Sequence, residues 1–250
     1  MSLRLRVLGS GPAWPSPGRA CTGFLIETGE LRVLLDCGTG VFERLRAVMP
    51  PEDLSAVIIS HLHFDHFADL MPFRYYLLFG SGRRASLPLF LPPGAAERLR
   101  RVVEPVEPSP GFFKDAFRVS EYDPDSTLRL GKVRISFHKT LHPVDTYAFR
   151  ISLGGAALVY SADTGWDPSL AGFATGADLF LCEAGWGTDG RSAEGMHLSA
   201  AEAGLLARMA GARRLLLTHI PGPEAPSVAA ARAEFGGPAE HAGPGEVFRI

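Results

Sequence analysis

The sequence predicts an α/β sandwich built from two similar halves. Two observations carry this expectation. Short, strongly apolar strands recur along the chain and lead into amphipathic helices, and the same grammar appears in both halves without a linker between them. A single domain over residues 1–250 is therefore expected. In the first half, LRLRV (3–7), TGFLIET (22–28) and LRVLLDCG (31–38) read as strands, with a Gly/Pro loop between the first two. VFERLRAVM (41–49) is an amphipathic helix ended by Pro50-Pro51. AVIIS (56–60) is a wholly apolar, β-branched run, the pattern of a buried strand. Residues 65–80 read as a helix interrupted near Pro72, followed by a strand at 87–91, a helix at 95–103 and a Pro-rich connection at 104–116. In the second half, strands are expected at 117–122, 132–140, 146–152, 156–162, 178–184, 213–220 and 245–250. Residues 199–212 form a strong helix pattern, capped by Ser199 with Glu202 three residues on and closed near Gly211.

Composition narrows the function classes. The 250 residues carry 25 basic and 27 acidic side chains, a net charge of −2, so the strongly basic footprint of a nucleic-acid binder is absent. No apolar run approaches the ~20 residues of a membrane-spanning helix. The first residues lack a charged region followed by an apolar one, so a cytoplasmic location is the expectation. Three widely spaced cysteines, Cys21, Cys37 and Cys182, form neither a disulfide framework nor a CxxC zinc site and read as small apolar residues.

The chemistry concentrates in Ser60-His61-Leu62-His63-Phe64-Asp65-His66, directly after the AVIIS strand. On a helix, residues i and i+2 point about 200° apart, so His61 and His63 could not share an ion; in an extended segment they point the same way. Asp65 and His66 fall where a helix begins and can face a second ion close to the first. Such a density of N and O ligands at the end of a buried strand is a transition-metal pattern. His142, Asp163 and His219 each lie just past a predicted strand end, where open α/β sheets gather their sites.

On these residues the chain resembles the metallo-β-lactamase fold superfamily, and within it the ribonuclease Z-like phosphodiesterases. HLHFDH matches the HxHxDH motif, LLDCG with Asp36 matches the early aspartate motif, and His142, Asp163 and His219 match the later ligands in order. The opening LGSGPAWPSPGRACTGFLIE, the CEAG segment with Glu183 and HLSAAEAG with His197 point to the ribonuclease Z-like branch. The resemblance implies a four-layer αβ/βα sandwich and two divalent metal ions, zinc first, with manganese or iron as alternatives. It implies that His61, His63 and His142 hold one ion, that Asp65, His66 and His219 hold the other, and that Asp163 bridges them. Paired ions lower the pKa of bound water toward ~7 and clamp the oxygens of a phosphodiester, so a metal-bound hydroxide is the expected nucleophile. Asp65 would also orient that nucleophile, His197 polarised by Glu183 would serve as general acid, and Asp36 would orient a histidine ligand.

The chain departs from the branch at Cys182 and Gly185, where its HEAT motif has histidine and threonine, and at Leu198 between His197 and Ser199. It also lacks a long Gly/Lys-rich insertion of the kind that grips transfer RNA. With the −2 charge this favours a small phosphodiester or nucleotide-like substrate, because phosphate contacts dominate nucleic-acid affinity. RNA remains possible as a partner, and no membrane partner is expected. A ribonuclease Z-type tRNA 3′ endonuclease, a carboxylic ester or lactone hydrolase, and a non-hydrolytic iron-binding or idle binding protein are the alternatives. His138 and His241 read as ordinary structural histidines. The aromatic stretch 67–84 divides among core, a substrate pocket and a homodimer face, and Arg83-Arg84 could touch phosphate.

Overall fold

The computed structural model describes residues 2–82, 86–109, 111–189 and 195–250. The first half contains β1 (Arg4–Gly9), β2 (Gly23–Glu27), β3 (Arg32–Leu35), α1 (Val41–Val48), β4 (Ala56–Ile58), α2 (Phe64–Phe67), α3 (Leu70–Tyr75), β5 (Leu87–Leu91), α4 (Ala95–Val103) and β6 (Phe117–Glu121). The second contains β7 (Leu128–Leu130), β8 (Val133–Lys139), β9 (Tyr147–Leu153), β10 (Ala156–Tyr160), α5 (Ser169–Phe173), β11 (Leu179–Glu183), α6 (Ala200–Ala210), β12 (Leu215–Thr218), α7 (Glu224–Phe235), β13 (Ala239–His241) and β14 (Val247–Arg249).

Two seven-stranded sheets result, ordered β14-β1-β2-β3-β4-β5-β6 and β13-β12-β11-β10-β9-β8-β7. Run from β14 to β6 and from β7 to β13, each has three antiparallel pairings followed by three parallel ones, so the halves repeat in topology as well as in sequence grammar. The last strand, β14, crosses back to pair with β1 of the first sheet.

Period-2 alternation builds the layers. In β2, Phe24 and Ile26 face a core shared with Phe149, Ile151 and Leu158 of the other sheet, while Leu25 faces outward. The outer face of the first sheet packs on Val41, Leu45, Phe73 and Leu99 of the first-half helices. That of the second packs on Leu170, Leu206 and Ala231. Helix, sheet, sheet, helix: this is the four-layer sandwich.

The capping box at Ser199 forms as read, with Glu202 donating its N–H to the serine side chain and accepting from the serine backbone, and Gly211 closes α6 at φ 60°. The helix expected over 65–80 differs. It breaks at Ala68-Asp69, not at Pro72, which sits in the first turn of α3 where its missing N–H costs nothing. The segment then ends in a π-helical turn, Tyr76–Gly80. Among the described residues no helix is long and apolar enough to cross a membrane.

Candidate metal centre

The strand ends converge on one edge of the sandwich. His61 follows β4, Asp163 follows β10 and His219 follows β12. His63 is extended, at φ −86° and ψ 144°, and α2 begins immediately after it. The two geometries anticipated for the HxHxDH segment are therefore both present. His61, His63, His142 and Asp163 form one group of ligand atoms, and Asp65, His66, Asp163 and His219 form another, each group within 4.8 Å. Asp163 belongs to both. It also belongs to a third group with Glu183 and His197.

The histidines are held by their far nitrogens. Ser60 Oγ donates to Asp36 Oδ2 at 2.8 Å, which leaves it to accept from His61 Nδ1 at 3.0 Å. Asp36 Oδ2 accepts from His66 Nδ1 at 2.9 Å, and the Met196 carbonyl accepts from His142 Nδ1 at 2.9 Å. Each bond commits Nδ1 and turns Nε2 inward. Asp36 is the hub: it also accepts from the Ser60 N–H and from the Tyr160 hydroxyl, so it orients His66 directly and His61 through Ser60.

At the centre the donors crowd without satisfying one another. His66 Nε2 lies 3.3 Å from Asp163 Oδ1 and 3.2 Å from Asp65 Oδ2, and His142 Nε2 lies 3.1 Å from His63 Nδ1. Among the described residues, the buried His61 Nε2, His66 Nε2 and Asp65 Oδ2 have no hydrogen-bond partner. Buried polar atoms left in that state are costly. These three converge where a cation would satisfy them, so the donor set fits divalent metal binding.

The electrostatics agree. Burial holds His61 well below the usual imidazole range and lowers His63; it brings His142 down to about 4. All three are neutral at pH 7, as metal ligation requires. His66 behaves oppositely. Burial disfavours its charge, but Asp163, Asp65 and Asp36 outweigh that and hold it well above its ordinary value. Burial likewise opposes ionisation of Asp65, yet His66 and His219 bring it to about 2. His219 and His66 hold the buried Asp163 well below the carboxylate range. In the metal-free protein, a protonated His66 balances the carboxylates that a cation would otherwise neutralise.

Beside Asp163 sits the His197–Glu183 pair. Glu183 Oε1 accepts from His197 Nδ1 at 3.0 Å and from the Thr164 N–H at 2.8 Å, and Oε2 accepts from the Gly185 N–H at 2.7 Å. Burial works against charge on His197, but Glu183 and then Asp163 lift it to about 9. Both departures from the HEAT pattern have a physical reason. Cys182 alternates away from Glu183 into the core under α6, its thiol raised well above its ordinary value by burial and by Glu183. At Gly185 a Cβ would sit 2.8 Å from His197 Cγ, so a bare backbone makes room for the ring. Leu198 is buried in the same core as Cys182, which leaves His197 facing the site.

A family profile described as the beta-lactamase superfamily domain matches residues 31–220. The chain belongs to this superfamily. It is 34% identical over 222 residues to YhfI of Bacillus subtilis, covering 88% of this chain and 87% of that one. It is 32% identical over 274 residues to the ribonuclease Z of Mycobacterium bovis, covering 94% of each. The crystal structure of YhfI, a metallo-β-lactamase fold protein, superposes over the whole of both chains with a TM-score of 0.91 at 32% identity. The short form of human tRNase Z shares the fold, with a TM-score of 0.75 at 19% identity over 98% of each chain. As a superfamily member the chain is a metallo-β-lactamase-fold hydrolase.

The structure brings the nine residues from His61 to His219 together in these three groups and places Asp36 against His66 and Ser60. Tyr160, Thr22 and Arg19, which no local pattern marks, join the centre through partners far away in sequence, and so does the Ser60 contact with Asp36. His138 meets Ser169 and stacks on Phe173, and His241 meets Ser10, both outside the ligand groups. Of the aromatic stretch, Phe67 and Phe73 are core. Phe64, Tyr75 and Val106 line an open cavity of about 330 Å³. Arg83-Arg84 lie outside the described residues.

Proposed function

We propose that this protein is a dinuclear metal-dependent phosphodiesterase acting on a small, nucleotide-like phosphodiester. His61, His63 and His142 would hold one divalent ion, Asp65, His66 and His219 the other, and Asp163 both. The observation that carries the reading is the sharing of Asp163 among two ligand groups and the His197–Glu183 pair, which sets a proton donor beside the place of bond cleavage. Bound there, two ions supply Lewis-acid activation of water near neutral pH and charge neutralisation at phosphorus.

The chain's own residues do the rest. Asp36 and Ser60 keep the histidines in register, and the backbone around Glu183 keeps that carboxylate fixed. His197 Nδ1 is committed to Glu183, so Nε2 carries the transferable proton. An alkoxide leaving group needs that proton, whereas a nitrophenolate leaves unaided. Cations bound at Asp163 would cancel part of the negative field that holds His197 near 9, drawing it toward the pH at which it can both hold and give up a proton. Asp65, with an oxygen turned into the centre, is suited to orient the attacking water.

The ribonuclease Z relatives favour a second reading, cleavage of a tRNA precursor at its 3′ side. A substrate panel with zinc or manganese supplied separates the readings: bis(p-nitrophenyl) phosphate, cyclic nucleotides, short oligonucleotides, a tRNA precursor and a lactone. Small phosphodiesters should be hydrolysed with higher kcat/KM than the lactone. His197→Gln should lower kcat on alkyl-leaving diesters by about 10²–10⁴-fold and much less on the nitrophenyl ester. Faster cleavage of the tRNA precursor than of any small diester overturns the small-substrate reading, and a preference for the lactone overturns phosphodiesterase chemistry.

A further inference from the structure

His219 sits in the left-handed backbone region, φ 61°, a strained conformation for a residue with a Cβ that persists only where its surroundings enforce it. Its backbone N–H donates to the Ser10 carbonyl at 3.0 Å. One guanidinium nitrogen, Arg19 Nη2, donates to that same Ser10 carbonyl at 3.4 Å and to the Ile220 carbonyl at 2.8 Å. The group thus reaches across His219 from the residue that receives its N–H to the residue that follows it. Arg19 Nη1 pairs with Glu224 Oε1 at 3.0 Å, which ties the guanidinium to the first turn of α7. Only 16% of the Arg19 side chain is exposed. Within the loop, reciprocal backbone bonds join Ser16 and Arg19 at 2.9 and 2.8 Å, and the Gly11 N–H donates to the Ala20 carbonyl at 2.9 Å.

We propose that Arg19 is a positioning residue that clamps the backbone around His219 and so holds its imidazole in the group with Asp65, His66 and Asp163. The proposal rests on the dinuclear reading above. It assigns work to the Gly/Pro loop between β1 and β2, whose Thr22 Oγ1 also meets His219 Nδ1 at 3.4 Å. It is also selective: the rings of His61 and His142 are met by Ser60 and Met196 and that of His219 by Thr22, whereas the clamp acts on the backbone that carries His219.

The test is a cycle of zinc affinities, measured by chelator competition, on the wild-type chain, Arg19→Ala, His219→Ala and the double variant. Arg19→Ala should weaken one of the two zinc ions about 10–100-fold and leave the other within about 2-fold. In the His219→Ala background, which keeps the group of His61, His63, His142 and Asp163, adding Arg19→Ala should change the remaining affinity by less than about 2-fold. Arg19→Lys retains the charge but offers one nitrogen where the guanidinium uses Nη2 for the two carbonyls and Nη1 for Glu224, and should fall between. Arg19→Gln carries the same comparison should the alanine variant not fold, with thermal unfolding of each metal-free protein measured alongside. No loss in Arg19→Ala, or the same loss with and without His219, overturns the proposal. A wild-type chain that takes up fewer than two zinc ions overturns the dinuclear reading, and this inference with it.

Discussion

Asp36 carries more of the centre's geometry than any residue that faces it. Its carboxylate accepts from Ser60 twice, from Tyr160 and from His66, and it does so from a left-handed backbone conformation, φ 57°. Asp36→Asn keeps the size but replaces one acceptor oxygen with a donor facing other donors. It should lower metal affinity about 10–100-fold while the far-UV circular dichroism stays unchanged. His241 offers a pH experiment away from the ligands. Burial, and then Arg19, bring it down to about 4, so the fold favours its neutral form. A histidine depressed on folding contributes stability that is complete above its unfolded value near 6.5 and is lost as pH falls toward 4. In metal-free protein, His241→Gln should therefore flatten the fall in urea midpoint between pH 6.5 and 4. At this scale the clustering of the histidines and aspartates was legible, because strand ends and the HxHxDH spacing are local patterns. Asp36's partners were not: Tyr160 lies 124 positions away, and nothing within a strand marks which hydroxyl will meet it.

Periodic apolar contrast decides which elements a sequence announces. α4 spans Ala95–Val103, the expected range, because Ala95, Leu99 and Val103 make a clean i, i+4, i+8 stripe. α7 has the same spacing at Ser227, Ala231 and Phe235, but a serine and an alanine give such a stripe little apolar contrast. β7 and α5 are too short to announce themselves. α7 stays close to α6 because Gly204 has no side chain; a Cβ there would meet the Ala231 carbonyl oxygen. Gly204→Val should separate the two helices and destabilise the protein by about 1–3 kcal/mol, read as a lower urea midpoint. Glu224 in the first turn of α7 pairs with Arg19, so on the proposed clamp the packing of these helices bears on the His219 side of the centre.

Across the whole molecule, the two sheets bring both halves of the chain to one edge, and neither half holds a complete site. His61, His63, Asp65 and His66 come from the first half; His142, Asp163, His197 and His219 come from the second. Six of the eight histidines thereby meet around one aspartate, and the cost of burying so many ionisable groups falls on the metal-free state. Ions that bind the fold and not the unfolded chain should raise the unfolding temperature, and a chelator should lower it. The net charge of −2 gives no general pull toward polyanions, the ground on which a small substrate is proposed. The most direct test of the dinuclear claim is to titrate metal-free protein with zinc while following hydrolysis of bis(p-nitrophenyl) phosphate. Activity should rise to a plateau at two zinc ions per chain and be lost in His63→Ala. A plateau at one ion, or no phosphodiester turnover at two, would contradict it.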